Sequence, residues 1–228
     1  MTTRDVYADA EAVARATADY LHEQIRACLA DKDYCHVALP GGSTPGRCLE
    51  LLADKELAWV KIHWYLGDER CYPSGHPERN DSMIQQRFWS KIATPSDRLH
   101  PIPADLGPEA AADRYASLIS QIGPLDIIIL GMGEDGHTAS LFPGNPAVED
   151  RRAVVPVFNA PKPPAERVSL GLVTLQQAAQ RVVLVTGENK RAALARIDRG
   201  ETLPIGLIGP ARWFVDRAAA YQPTKDML

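Results

Sequence analysis

No apolar run in this chain approaches the ~20 residues needed to cross a bilayer. Its start, Met1-Thr2-Thr3-Arg4-Asp5, leads into a polar, alanine-rich helix rather than a signal-peptide core. A membrane partner is therefore not expected, and a cytoplasmic location is the default. Cysteine is scarce: Cys28, Cys35, Cys48 and Cys71 show neither Cys-x-x-Cys spacing nor a metal-finger pattern. Four reduced, mostly buried thiols are the expected state. His22, His36, His63, His76 and His100 show no paired ligand spacing, so no metal is expected. One-sided charge is absent as well. Twenty-five basic and 29 acidic residues are interspersed for a net charge of −4, which argues against nucleic acid or a membrane surface as partner. An anionic ligand would need positive charge gathered locally. No linker, charge block or internal repeat divides the 228 residues, so one domain over 1–228 is expected.

What is present is an ordinary soluble-globular composition, 45% hydrophobic and 24% charged, and an alternation of strand and helix patterns. Residues 8–30 are an amphipathic helix, with Ala10, Val13, Ala14, Thr17, Leu21, Ile25, Cys28 and Leu29 at helical spacing. Residues 36–39 read as a strand that breaks at Pro40-Gly41-Gly42; Thr44 is the expected cap of the next helix, with Pro45 at its first position. A second strand at 62–66 ends in Gly67-Asp68-Glu69-Arg70, followed by a loop over 71–80 and a helix over 81–89. A helix over 108–121 precedes a buried strand at 125–130. Strands follow at 153–157 and 168–170, then a short helix capped by Thr174, a strand at 181–186 and a helix over 189–198. A last short strand is expected at 204–208, with 213–220 closing the chain. The pattern predicts an α/β fold, a mainly parallel open sheet with helices on both faces.

Three strand ends carry polar loops, and in a parallel sheet such ends share one edge. Gly41-Gly42-Ser43-Thr44 leads into a helix and suits a phosphate, because glycines let backbone N–H groups approach an anion and the helix N-terminus favours negative charge. The alternative is a plain capped turn. The loop is neither the Gly-x-Gly-x-x-Gly dinucleotide pattern nor a Walker loop, so no nucleotide is indicated. Asp68-Glu69-Arg70 is either a solvated surface cluster or part of a site. The most informative stretch is Gly131-Met132-Gly133-Glu134-Asp135-Gly136-His137-Thr138-Ala139-Ser140-Leu141-Phe142-Pro143. It sets His137, which titrates near neutrality, on a glycine turn after a buried strand. Asp135 and Asp68 are candidates to orient that imidazole or raise its basicity. Ser140 is a rival nucleophile, but the Gly-x-Ser-x-Gly elbow is missing. Arg167 and Lys190 are the remaining candidates, Lys190 at a strand-to-helix turn on the same edge.

Taken together these segments resemble the 6-phosphogluconolactonase family, within the larger group that includes glucosamine-6-phosphate deaminase and ribose-5-phosphate isomerase. The resemblance rests on 39–45, 67–70, Asn80 after the His76 loop, the long signature at 131–143, 163–169, 187–190 and 213–216. One position departs: Arg79 precedes Asn80 where a serine is expected. The resemblance implies hydrolysis of 6-phospho-D-glucono-1,5-lactone to 6-phosphogluconate in the oxidative pentose phosphate pathway, without metal or organic cofactor. The expected partner is that small sugar-phosphate lactone, bound by a monomer or homodimer. It further implies His137, Asp68 and Arg70 in catalysis, and Gly41, Gly42, Ser43, Thr44, Asn80, Asp135, Gly136, Arg167 and Lys190 in holding substrate. Two rivals stand beside it: an amino-sugar phosphate deaminase, which resembles the Asp-Gly-His core, and a non-catalytic sugar-phosphate sensor.

Overall fold

Asp9 accepts a 2.9 Å hydrogen bond from Ala12 N and so caps α1 (Ala10–Asp31), whose buried stripe is Val13, Ala14, Thr17, Ala18, Leu21 and Ile25. The computed structural model describes residues 3–220; residues 1–2 and 221–228 of the expected domain lie outside the description. Ahead of α1 runs a strand absent from the sequence reading, β1 (Thr3–Tyr7). After it come β2 (Cys35–Leu39), α2 (Ser43–Ala53), β3 (Ile62–Leu66), β4 (Asp68–Arg70), α3 (Asn80–Arg87), β5 (Leu99–His100) and α4 (Pro108–Ile119). The second half contributes β6 (Ile127–Gly131), β7 (Val154–Val157), β8 (Arg167–Leu170), α5 (Leu172–Gln177), β9 (Gln180–Val185), α6 (Arg191–Asp198), β10 (Arg212–Asp216) and α7 (Arg217–Ala220).

Seven strands pair in the order β1-β10-β9-β6-β2-β3-β5, every pair parallel. Helices flank this sheet, and a single hydrophobic core joins it to a smaller one. The second sheet, β4-β8-β7, is antiparallel and sets Asp68 opposite Ser169 and Arg70 opposite Arg167. Among the described residues no helix is long and apolar enough to cross a membrane.

Three local expectations are corrected. Residues 204–208 form a 3₁₀ turn, not a strand: Pro204 fixes φ, and Gly206 N donates to Leu203 O at 2.8 Å, an i→i+3 bond. A short apolar run does not by itself distinguish these outcomes. Thr44 does not cap α2. Gly42 does, at φ +105°, and Thr44 Oγ1 instead meets Thr186 Oγ1 at 2.6 Å. Thr174 is likewise inside α5, behind Gly171, donating to Ala153 O at 2.7 Å.

Three of the unassigned histidines line up across β2, β3 and β5, where His63 Nδ1 lies 2.9 Å from His100 Nε2 and the His36 ring stacks on His63 at 5.0 Å. Burial, then the neighbouring His36 and Arg98 charges, pushes His63 down to about 4; burial also lowers His36 and His100. Each ring therefore holds a proton less tightly in the native protein than in the unfolded chain, whose histidines protonate near 6.5. Unfolded protein then binds more protons, so stability falls as pH drops from about 6.5 towards 4. Thermal melts across this window should show that decline, and His63→Leu should flatten it; an equal slope in the variant removes the histidine ladder as its cause.

Candidate active site

The order of strands places a crevice before any side chain is considered. From β2 the chain moves outward through β3 to β5; from β6 it moves the opposite way through β9 to β10, and β2 and β6 are neighbours. The carboxyl ends of β2 and β6 therefore flank a topological switch point, where open α/β sheets bind ligands. A cleft of about 580 Å³ opens there. Pro40 through Thr44 form one wall, and the first turn of the 11-residue α2 faces it. Gly41 is required by contact: a Cβ there would sit 2.0 Å from Asn80 Oδ1.

His137 stands on the turn after β6. Gly133 N donates to His137 O at 2.8 Å, Gly136 N to Gly133 O at 3.1 Å, and Thr138 Oγ1 to Gly131 O at 2.9 Å. The imidazole Nδ1 lies 2.5 Å from Asp135 Oδ1, which also accepts the His137 backbone N–H at 3.1 Å. A carboxylate partner assigns the proton to Nδ1 and leaves Nε2 as the basic nitrogen. Any Cβ on Gly133 would fall 2.0 Å from Nδ1, so this pair requires glycine there. The ring packs on Phe142 at 4.5 Å between centroids, with 19% of the side chain exposed. Burial, partly offset by the Asp135 and Asp68 charges, lowers the pKa of His137, so the ring is neutral at neutral pH. Burial works upward on Asp135, yet the hydrogen bonds from His137 keep its carboxyl below the ordinary value.

Asp68 and Arg70 come from β4. Asp68 is buried, accepting from Ser140 Oγ at 2.6 Å and from Asn80 Nδ2 at 3.2 Å. The Ser140 hydroxyl thus donates to a carboxylate and not to the imidazole of His137. Asn80 also binds Asp68 O at 2.8 Å. Arg70 donates through Nη1 to Glu78 O and lines the cleft. Arg167 lines it too, its guanidinium 5.4 Å over the Phe142 ring. Lys190 enters from the turn after β9, and burial lowers its pKa.

Ten of the twelve residues singled out from sequence, Gly41, Gly42, Ser43, Thr44, Asp68, Arg70, Asn80, His137, Arg167 and Lys190, thus share one cleft. Asp135 and Gly136 do not line it. Asp135 lies behind the imidazole, and Gly136, at φ +85°, packs on Leu203, whose Cδ1 would lie 2.5 Å from a Cβ. Sequence reasoning missed Lys162, Thr186 and Asn189, which also line the cleft. Asn189 sits one position before Lys190 on the same turn, which is the signal that was available. The departure at Arg79 is structural: its buried guanidinium binds Asp81, Tyr72 O and Ile102 O, at 2.6 to 3.0 Å. Among the described residues one group has metal-ligand spacing, Cys28, Cys35 and Asp126, with donor atoms within 4.8 Å of one another. It lies at the amino ends of β2 and β6, away from the cleft, and Asp126 is already engaged by Lys32 Nζ at 2.5 Å and His36 N at 2.8 Å.

The fold and site define an α/β protein with a histidine–carboxylate pair beside the N-terminus of a helix. Residues 8–217 match the model of the family described as glucosamine-6-phosphate isomerases/6-phosphogluconolactonase, and the chain belongs to that family. It is 34% identical to a 6-phosphogluconolactonase of Streptomyces coelicolor, covering 95% of this chain and 93% of the relative. The corresponding human protein is 33% identical, over 94% and 91%. The crystal structure of 6-phosphogluconolactonase from Thermotoga maritima superposes with a TM-score of 0.89 at 28% identity, covering 95% of this chain and all of that one (100%).

Proposed function

We propose that this chain hydrolyses 6-phospho-D-glucono-1,5-lactone to 6-phospho-D-gluconate by His137-assisted attack of water on the lactone carbonyl. The observation that carries the mechanism is the neutral imidazole, held by Asp135 through Nδ1 and set in a cleft with Arg70, Arg167 and Lys190. A lactone is an activated ester, so the protein needs a base, a positioned water and a stabiliser for the oxyanion. Nε2 of His137 takes a proton from water as its oxygen bonds to C1. Asp135 and the nearby Asp68 charge stabilise the imidazolium so formed. Arg70 stabilises the negative charge that develops on the carbonyl oxygen. When the tetrahedral intermediate collapses, the C1–ring oxygen bond breaks and Nε2 returns the proton to the departing oxygen. The phosphate lies against the first turn of α2, at Gly42, Ser43 and Thr44, with Lys190 supplying a counter-charge.

This division of labour assigns Arg167 differently from the other cations. Its guanidinium spends its hydrogen bonds on backbone carbonyls at 162–164, so it shapes the cleft wall. Four unpaired thiols support the cytoplasm as the compartment of the reaction.

The deciding measurement is a coupled assay on freshly generated lactone, corrected for spontaneous opening. Turnover at the background rate would sink the reading, and ammonia release from glucosamine 6-phosphate would replace it with the deaminase. Lys190→Ala should raise KM roughly tenfold or more with a smaller change in kcat, as expected for one charge-assisted bond to the phosphate. An unchanged KM removes Lys190 from the phosphate subsite.

A further inference from the structure

Residues 158–166, between β7 and β8, form a strap beside the cleft. Arg167 fastens it: Nη2 donates to Lys162 O at 3.0 Å and Pro163 O at 3.1 Å, and Nε donates to Pro164 O at 3.2 Å. Ala160 N closes its base onto Ala165 O at 2.9 Å. The charged side chain this strap presents to the cleft is Lys162. Its Nζ meets Glu134 Oε1 at 2.6 Å, and Glu134 belongs to the turn that carries His137. Both side chains are about half exposed, at 52% and 50%.

A half-exposed pair between flexible side chains contributes little to stability, so bracing is a weak reason for it. Its surroundings are more informative. The Lys162 charge reaches both Lys190 and His137, and Lys190 also feels Glu134. Two ammonium groups therefore line the cleft together, and one carboxylate, on Glu134, lies within charge reach of both. The ammonium of Lys190 makes no hydrogen bond to another described residue. A phosphate monoester dianion matches two ammonium groups in charge, and it competes with Glu134 for one of them.

We propose that Lys162 determines specificity for the phosphorylated substrate: its ammonium exchanges Glu134 for the phosphate, and Glu134 is an internal competitor that parks Lys162 at the cleft mouth. This rests on the lactonase reading for the identity of the phosphate ester. The exchange needs only rotation of two half-exposed side chains, because the strap backbone is held by Arg167.

The test uses Lys162→Met and Glu134→Gln in the full chain, with inorganic phosphate as probe by calorimetry, and KM and kcat measured on the lactone. Lys162→Met should weaken phosphate binding and raise KM about tenfold, with a smaller change in kcat. Glu134→Gln should act in the opposite direction, tightening phosphate and lowering KM several-fold. A brace predicts the same sign for both variants. Unaltered phosphate affinity in Lys162→Met, weakened binding in Glu134→Gln, or no phosphate binding by the unmodified protein overturns the proposal. Phosphate binding needs no turnover, so opposite shifts in a chain that fails to open the lactone would sink the reaction and leave the exchange standing.

Discussion

Replacing His137 with alanine is expected to leave a folded protein whose kcat on the lactone is lower by roughly 10²–10⁴-fold, the usual contribution of a positioned general base. The fold should survive because the ring makes its contacts at the cleft wall: one face on Phe142 and one nitrogen on Asp135, whose side chain is 35% exposed and can be solvated when the ring is gone. The turn itself is held by Gly133 N to His137 O and by Gly136 N to Gly133 O, which are backbone bonds and persist in the variant. A melting temperature near the unmodified value together with the lost rate would separate chemistry from folding. The pH profile gives a second readout. A base must be neutral to accept a proton, and burial lowers His137. The acid limb of kcat/KM therefore lies below the ordinary histidine value near 6.5, and activity falls as pH drops through it. Full turnover by His137→Ala, or an acid limb unchanged in Asp135→Asn, would remove the histidine–carboxylate pair from the mechanism.

The elements nearest the site were the most legible in the sequence, for a physical reason. Strands β3, β6 and β9 lie inside the large sheet, so they read as apolar runs, and the glycines after them mark where the chain turns at the active edge. β1 gave no such signal. Its residues, Thr3 to Tyr7, lie at the sheet edge, half-exposed or exposed, and hold their place by parallel register with β10 and by the ion pair of Asp5 with Arg212. The antiparallel direction of β4, β8 and β7 was equally silent, since strands of three or four residues have no period that encodes orientation. Yet that pairing sets Arg70 opposite Arg167. The positions of Asp135 and Gly136 relative to the cleft were undecided in the sequence for a related reason. Their spacing from His137 shows nearness, but only the turn decides that one faces the imidazole from behind and the other faces Leu203. Lys162 depends on a strap whose course is set by Arg167, five positions later.

The largest stability effect is expected at a buried residue that does not line the cleft. Glu69 lies between Asp68 and Arg70 on β4, and strand alternation turns its side chain away from theirs, to a site that is 0% exposed. Its carboxylate accepts Asn80 N at 2.7 Å and Asp81 N at 2.8 Å, two donors at the start of α3, and Arg70 N at 2.8 Å. α3 has no side-chain cap from its own N-cap residue, Arg79, so Glu69 does that work from a neighbouring strand. Burial pushes the carboxyl up to about 7, against those backbone donors, which favour the ionised form. Glu69→Ala strips three backbone N–H groups of their acceptor, at ~1–3 kcal/mol for each one that stays buried. A total near 4 kcal/mol corresponds to a fall in Tm of roughly 10 °C for a chain of this size. Glu69→Gln should fall between, since an amide keeps one acceptor oxygen but turns an NH₂ toward a donor. Activity should follow stability, because Asn80, the first residue of α3, holds Asp68 in the cleft together with Ser140. A melting temperature unchanged in Glu69→Ala would mean that α3 is anchored by Arg79 and Asp81 alone, and that the acid between the two cleft residues is dispensable.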